Sequence, residues 1–326
     1  MQNTLIIGGA GYIGTALSDY LLKNDYRLKV LDNCIYNNNE TIINNIKDKN
    51  YEFIFGDMCK LQDLEIAIKN VTKVIILSGL VGDPITKKYP KEANLINLEK
   101  MKSMIDFLYE QDLKNIVFVS TCSNYGFMDE SKLADEDTEL KPLSLYAKSK
   151  VKCEKYLFKL KFNTPVILRF ATAFGLSDRM RFDLTVNEFT RDLYYKKKLD
   201  IYDQKSWRPY CHVNDFSRII RKVLIAEKKK VAYQIFNVGN NRNNCTKKNL
   251  VDKIVRILKY KNNRINYLNK GFDRRNYKVD FSKIEKVLKI KTKFDINYGI
   301  KEILLSFKKN RNYFKNKKLG NYNIKI

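Results

Sequence analysis

Tyr146 and Lys150 lie four residues apart in the stretch Ser144-Leu-Tyr-Ala-Lys-Ser-Lys150. At positions i and i+4 of a helix two side chains project from one face, so the ammonium sits beside the phenol and favours its anion. A phenol of ordinary pKa, about 10, then becomes a usable general base. A second group, Gly8, Gly11 and Gly14, follows the apolar residues 4–7 with the spacing of a turn that brings backbone close to a diphosphate at the mouth of a helix. One motif moves a proton and the other holds a dinucleotide, which together point to redox chemistry on an alcohol. A tyrosine and a lysine at this spacing are by themselves a chance pattern. Their place between two predicted strands, well downstream of the glycines, makes them a site.

The elements that must position these groups follow from the apolar pattern. Strands are predicted at residues 4–7, 27–31, 51–55, 74–77, 116–119 and 166–168, alternating with longer amphipathic segments. That is an α/β chain with a doubly wound parallel Rossmann-type sheet, and residues 1–175 form the dinucleotide-binding domain that also carries Tyr146 and Lys150. Beyond Gly175 the pattern is irregular, with helices predicted near 182–196, 214–228, 247–259 and 282–289 and a strand at 234–238 that returns to the main sheet. Residues 176–326 are therefore expected to form a smaller, interleaved α/β substrate lobe. Ligands belong in the crevice at the carboxyl ends of the strands, between the two parts.

Composition narrows the class. A chain of 326 residues, 44% hydrophobic, builds a substantial core. No run approaches the roughly 20 apolar residues of a membrane helix, and residues 3–7 follow without a basic leader, so the expected location is cytoplasmic. Cys34, Cys59, Cys122, Cys153, Cys211 and Cys245 form no CxxC pair, and His212 is the single histidine; free thiols and no metal site are expected. The net charge of +26 comes from lysines spread along the whole chain, which speaks for a compositional bias rather than a nucleic-acid surface. The densest basic stretch, residues 308–318, is expected to be a solvated tail.

On the dinucleotide side, Gly8 and Gly11 allow the tight turn and the close approach of backbone, and Gly14 allows the helix to pack on the strand. Asp32 ends the second predicted strand, where a carboxylate accepts hydrogen bonds from the adenosine ribose. Asn33 follows it and no arginine is near in sequence to receive a 2′-phosphate, so NAD is expected rather than NADP. Asp57 ends the third strand and either hydrogen-bonds the adenine amino group or caps the next helix.

Together with Gly56-Asp57, residues 77–81, residues 120–126, Tyr146/Lys150, residues 168–175, residues 208–215 and residues 236–239, the glycine turn resembles the extended short-chain dehydrogenase/reductases, specifically the sugar-nucleotide epimerases, dehydratases and dehydrogenases. The resemblance runs from Gly8 to about Gly299. It implies that Tyr146 is the catalytic tyrosine, that Lys150 binds the nicotinamide ribose and lowers the tyrosine pKa, and that the Thr121 hydroxyl bonds the reacting sugar oxygen. It places Tyr12, Ile13, Asn33, Met58, Leu77, Ser78 and Gly79 along the cofactor, and Asn97 on the nicotinamide side. Ser123, Thr172 and Asn187 fall where the family contacts the sugar nucleotide. Arg208 and Arg275 fall where guanidinium forks grip its diphosphate, with Arg274 competing for the second role. Arg179 and Arg181 either reach the phosphates too or make a solvated turn, and His212 becomes a structural or substrate-lobe residue. The family's 4,6-dehydratases carry an Asp-Glu pair after the hydroxyl residue; Cys122 and Ser123 stand there, which disfavours dehydration.

The partner implied is a nucleoside-diphosphate sugar, oxidised at a ring hydroxyl, C4 first of all, and the net reaction expected is 4-epimerisation. Residues 171–187 look most like a subgroup that includes NAD-dependent 4-dehydrogenases of nucleotide-activated heptoses in bacterial capsule synthesis, which makes net oxidation the alternative. A regulator that senses NAD without turnover is the alternative from a different class. The resemblance also implies a homodimer built on the helix around 92–110 and the helix carrying Tyr146. Met101, Met104, Ile105 and Leu108 suit either that interface or a buried face of the chain itself.

Overall fold

In the computed structural model seven strands form one parallel sheet: β1 Asn3–Ile7, β2 Arg27–Asp32, β3 Tyr51–Phe55, β4 Lys73–Ile76, β5 Asn115–Thr121, β6 Pro165–Phe170 and β7 Gln234–Val238. Their spatial order is β7-β6-β5-β4-β1-β2-β3. The structure describes all residues except 1–2, 130, 260–263, 269–274, 310–313, 316–318 and 326. Every residue of β5 and β6 is buried, as expected of central parallel strands covered on both faces. The chain winds outward from β1 through β2 to β3, then crosses to β4 on the other side of β1. The crevice between the carboxyl ends of β1 and β4 is the topological switch point, where ligands bind in such sheets.

Helices cover both faces. On one side, Leu17 and Leu21 of α1 (Tyr12–Leu22) pack with Phe216, Ile219, Ile220 and Val223 of a helix over Val213–Leu224. On the other, α2 (Met101–Tyr109) and α3 (Leu145–Lys159) bury Met104, Ile105, Leu108, Cys153 and Leu157 against Ile76, Phe118 and Ile167. Met101, Met104, Ile105 and Leu108 therefore all face the chain's own core. The helix expected over 92–110 is three pieces: Pro90–Asn94, a π-helical stretch Leu95–Lys100, and α2.

The second lobe has its own core, where Phe189, Ile254, Ile300 and Phe307 gather from helices Thr185–Tyr194, Lys247–Leu258 and Ile296–Lys309, with Phe182 from the loop before the first of them. The last of these helices was not predicted. It takes in Lys308 and Lys309, whose side chains are exposed as expected of a solvated stretch, while Phe314 beyond it is buried against Phe182 and Phe307 and pins the chain to the lobe. The rest of residues 308–318, apart from Lys315, lies outside the described residues. No helix among the described residues is long and apolar enough to cross a membrane. His212 is fully buried: Nδ1 accepts from the Asn214 N–H at 3.2 Å, capping the helix Val213–Leu224, and Nε2 lies 3.0 Å from Glu302.

Candidate active site

One cavity lies along the carboxyl ends of the strands, lined from the glycine turn through Asp32 and Asp57 to Tyr146, Lys150, Arg208 and Arg275. At its base Gly8 has φ +87°, and a Cβ there would stand 2.6 Å from the Ser78 nitrogen, so the close approach of the two loops requires glycine. Helix α1 opens at Gly11 with no side-chain cap and no acidic residue in its first turn, leaving its N-terminal amides to the cavity. The role assigned to Gly14 differs from expectation. A Cβ there would meet the Gly9 backbone at 2.5 Å, and it is Gly9 that meets β2, 2.6 Å from Val30 Cγ1.

The Asp32 carboxylate accepts the N–H of Ala10 at 3.0 Å and of Cys34 at 2.8 Å. Burial raises its pKa, and these two bonds together with Arg179 oppose the rise. Each oxygen keeps a lone pair for a ribose hydroxyl. Asp57 does not cap a helix: it accepts from Cys59 N at 2.9 Å, and the following helix opens at Lys60 without a side-chain cap. The exposed amides of α1, the glycine that seats Ser78 and the carboxylate at the end of β2 fit a dinucleotide. Leu77, Ser78, Gly79, Asn33, Met58, Tyr12 and Ile13 line the same space.

Asn97 sits differently. It lies in the π-helical stretch, accepts from Leu80 N at 2.7 Å and donates to Leu80 O at 2.9 Å. It braces the loop that lines the cavity and does not line it.

Helix α3 starts where Ser144 accepts from Ala147 N at 3.2 Å, and it presents Tyr146 and Lys150 to the cavity. Its seat on the sheet is the buried Glu154, which accepts from Ser120 of β5, from Asn124 at 2.8 Å and from Arg169 of β6 at 2.8 Å. Lys150 donates to the Val119 carbonyl at 2.8 Å, and burial lowers its pKa to about 8. Burial raises the Tyr146 phenol above its ordinary value. The cation that most opposes this is Arg181 rather than Lys150, while Asp83 pushes it higher still. Thr121 ends β5; its Oγ1 accepts from Ser123 N at 3.1 Å, which leaves its proton and a second lone pair for a sugar oxygen. Cys122 turns away into the core, where it donates to Arg169 O and burial raises its thiol pKa, so the position after Thr121 offers no carboxyl-like acid or base.

The wall opposite is basic and ion-paired. Arg275 pairs with Asp83 at 2.7 Å and donates to Ser123 Oγ at 3.3 Å. Arg208 donates to the Trp207 carbonyl at 2.7 Å and to that of Arg275, with Tyr277 beneath it. Arg274 lies outside the described residues. Thr172 lines the cavity from a short strand, Thr172–Phe174. Asn187 does not. It is fully buried, accepts from Gly175 N at 3.1 Å and donates to Arg181 O at 3.0 Å and Tyr12 Oη at 3.2 Å, so it ties the lobe to α1. Arg179 and Arg181 are buried cavity residues, not a solvated turn; Arg181 is held by Asp183 at 2.5 Å. Asp83, Tyr36, Tyr277 and Asn321 line the cavity without having been expected there. Asp83, set before a proline just past the fourth apolar run, and Tyr36, just past the second, carried a signal in the sequence, since loops after the strands of such a sheet face the ligand.

The model of the NAD dependent epimerase/dehydratase family matches residues 4–239. The chain belongs to this family. Its members' cofactor fits the glycine turn and Asp32. Among its relatives, an uncharacterized protein of Methanocaldococcus jannaschii is 28% identical over 335 residues, covering 96% of this chain and 98% of that protein. A UDP-glucuronate 4-epimerase of Thermodesulfobacterium geofontis is 26% identical over 321 residues, covering 94% and 96%. The fold is that of the UDP-glucuronic acid 4-epimerase of Bacillus cereus, solved with UDP-glucuronic acid and NAD, at a TM-score of 0.86 and 22% identity over 95% of this chain and 100% of the other.

Proposed function

We propose that the protein is an NAD-dependent 4-epimerase of a nucleoside-diphosphate sugar. The observation that carries this reading is the convergence of Thr121, Tyr146 and Lys150 on the cavity that also holds the glycine turn and Asp32. The 4-epimerases among its full-length relatives support it. Bound NAD supplies an acceptor for hydride that can also give it back. The protein's own part is to hold and move the proton. Tyr146 takes the proton of the C4 hydroxyl and returns it, Thr121 fixes that oxygen by donating or accepting, and Lys150 holds the cofactor's ribose. Arg208, Arg275, Ser123 and Thr172 hold the diphosphate and sugar on the opposite wall. The absence of a carboxyl pair beside Thr121 keeps the chemistry to oxidation and reduction at one carbon, without elimination of water. We further propose a homodimer with α2 and α3 at its interface, contacted through side chains other than the four buried apolar residues of α2; light scattering of the purified protein tests it.

Incubation of the NAD-loaded protein with a panel of UDP-, GDP- and dTDP-linked sugars, read by NMR for C4 epimers, tests the function. Tyr146→Phe should lower turnover by about 100-fold or more while NAD remains bound. Near-normal turnover in that variant would show that the base lies elsewhere.

A further inference from the structure

Residues 319–325 run along the mouth of the cleft and are fastened to three separate loops. Phe182 N donates to Leu319 O at 2.7 Å and Arg179 donates to Gly320 O at 3.3 Å, both from the loop after Thr172–Phe174. From the loop after β4, the Val81 carbonyl accepts from Asn321 Nδ2 at 2.9 Å, and at the end of the short helix Asp83–Lys88 that follows, the Lys88 ammonium donates to Tyr322 O at 3.4 Å and to the Asn323 side chain. From the loop after β2, the Ile35 carbonyl accepts the Lys325 N–H at 2.8 Å. Ile324 packs on a small apolar cluster of Leu80, Ile85 and Ala93, against which Ile35 and Tyr36 of the loop after β2 also pack. These loops leave the carboxyl ends of their strands, and Ile35, Val81 and Arg179 line the ligand cavity.

Asn321 lines that cavity as well and is 5% exposed. Its Nδ2 is committed to a carbonyl, which can only accept, so the atom left over is the acceptor Oδ1. That oxygen is buried with no donor among the described residues. A buried acceptor without a donor is costly, and a donor on a ligand removes the cost. The segment spans from Ile35, three positions past the Asp32 carboxylate, to Val81, two positions past Gly79. It thus lies over the long axis of the dinucleotide site.

We propose that residues 319–325 are a strap belonging to the dinucleotide site: Asn321 Oδ1 accepts a hydrogen bond from a hydroxyl of bound NAD, and the strap must detach before the cofactor leaves. The inference rests on NAD as cofactor and not on which sugar is turned over, so it is tested without sugar.

The protein is loaded with NADH and chased with excess NAD, and the loss of protein-bound NADH fluorescence gives the release rate. Lys88 is exposed and outside the catalytic and binding machinery, so Lys88→Met loosens one anchor and leaves the fold intact. Release should quicken about fivefold in Lys88→Met and in Asn321→Ala, the factor expected for one lost hydrogen bond. It should quicken by more than tenfold in a chain lacking residues 319–326. If the shortened chain does not fold, the two point variants decide alone. Release rates unchanged in both point variants overturn the proposal. So does a lowered melting temperature with unchanged release, which would mark the strap as structural only. A change confined to the affinity for UDP, measured by calorimetry, overturns it too, by assigning the strap to the sugar nucleotide.

Discussion

Tyr146 is buried between opposed charges, and that arrangement sets when it can act. Its phenol is raised by burial, lowered by Arg181 and raised again by Asp83. Neutralising Asp83 removes one of the raising influences, so Asp83→Asn should move the limb on which kcat/KM rises with pH, where the phenol loses its proton, toward lower pH, by up to about one unit. A limb that stays in place or moves to higher pH would show that the Asp83 charge is screened from the phenol, for instance by its pairing with Arg275. Lys150 gives a second pH test, on stability. Burial lowers its folded pKa to about 8, below the ordinary 10.5 of the unfolded chain. Between those values the unfolded chain binds more protons, so this residue's contribution to stability rises with pH. The difference in unfolding free energy between the cofactor-free protein and Lys150→Met should therefore grow in favour of the native residue from about pH 8 to about 10.5, by roughly 1–3 kcal/mol. Urea titrations across that window measure it. A flat difference would mean that the Val119 carbonyl and the Phe118 ring fully compensate the buried ammonium.

At the level of elements, the catalytic helix is held by a charge network that lies behind the reacting groups. Glu154 is one turn past Lys150 on α3 and is paired with Arg169 on β6, both about 4% exposed. Burial disfavours the Arg169 charge, but Glu154 outweighs that effect and raises its pKa. Removing one partner of such a pair leaves a buried charge alone, so Glu154→Ala should destabilise the fold by about 3–5 kcal/mol and weaken turnover with it. Replacing both, Glu154→Leu with Arg169→Met, should recover most of the stability, as thermal unfolding will show.

The network also marks where the sequence stops being readable. β5 and β6 are short β-branched apolar runs and were visible as such, as was the glycine turn, because their signals are local. Glu154 and Arg169 carry no local mark of their pairing. Asn97 and Asn187 were located as motif residues, yet both spend their amides on backbone within the protein. Asp83 and Asn321 join the site through contacts across some 190 and 240 residues of chain, to Arg275 and Val81, which no spacing rule reaches.

For the molecule as a whole, the open choice is the fate of the hydride. The enclosure of the cleft by the second lobe, with Arg179, Arg181 and Arg208 all buried in its wall, favours retention of whatever is bound there. An epimerase must return each hydride before product leaves. With excess NAD and a sugar nucleotide, free NADH should therefore stay flat while the C4 epimer accumulates. Net oxidation, the alternative suggested by residues 171–187, requires reduced cofactor to be released or to wait on the protein. It would give steady NADH production, or one stoichiometric burst that resumes only when an electron acceptor is added. Absorbance at the NADH band and NMR of the sugar, followed in one reaction, separate these courses. The expected result is epimer without NADH, because that cycle needs no further reactant. Stoichiometric 4-keto sugar without epimer would overturn it and assign the protein to net oxidation.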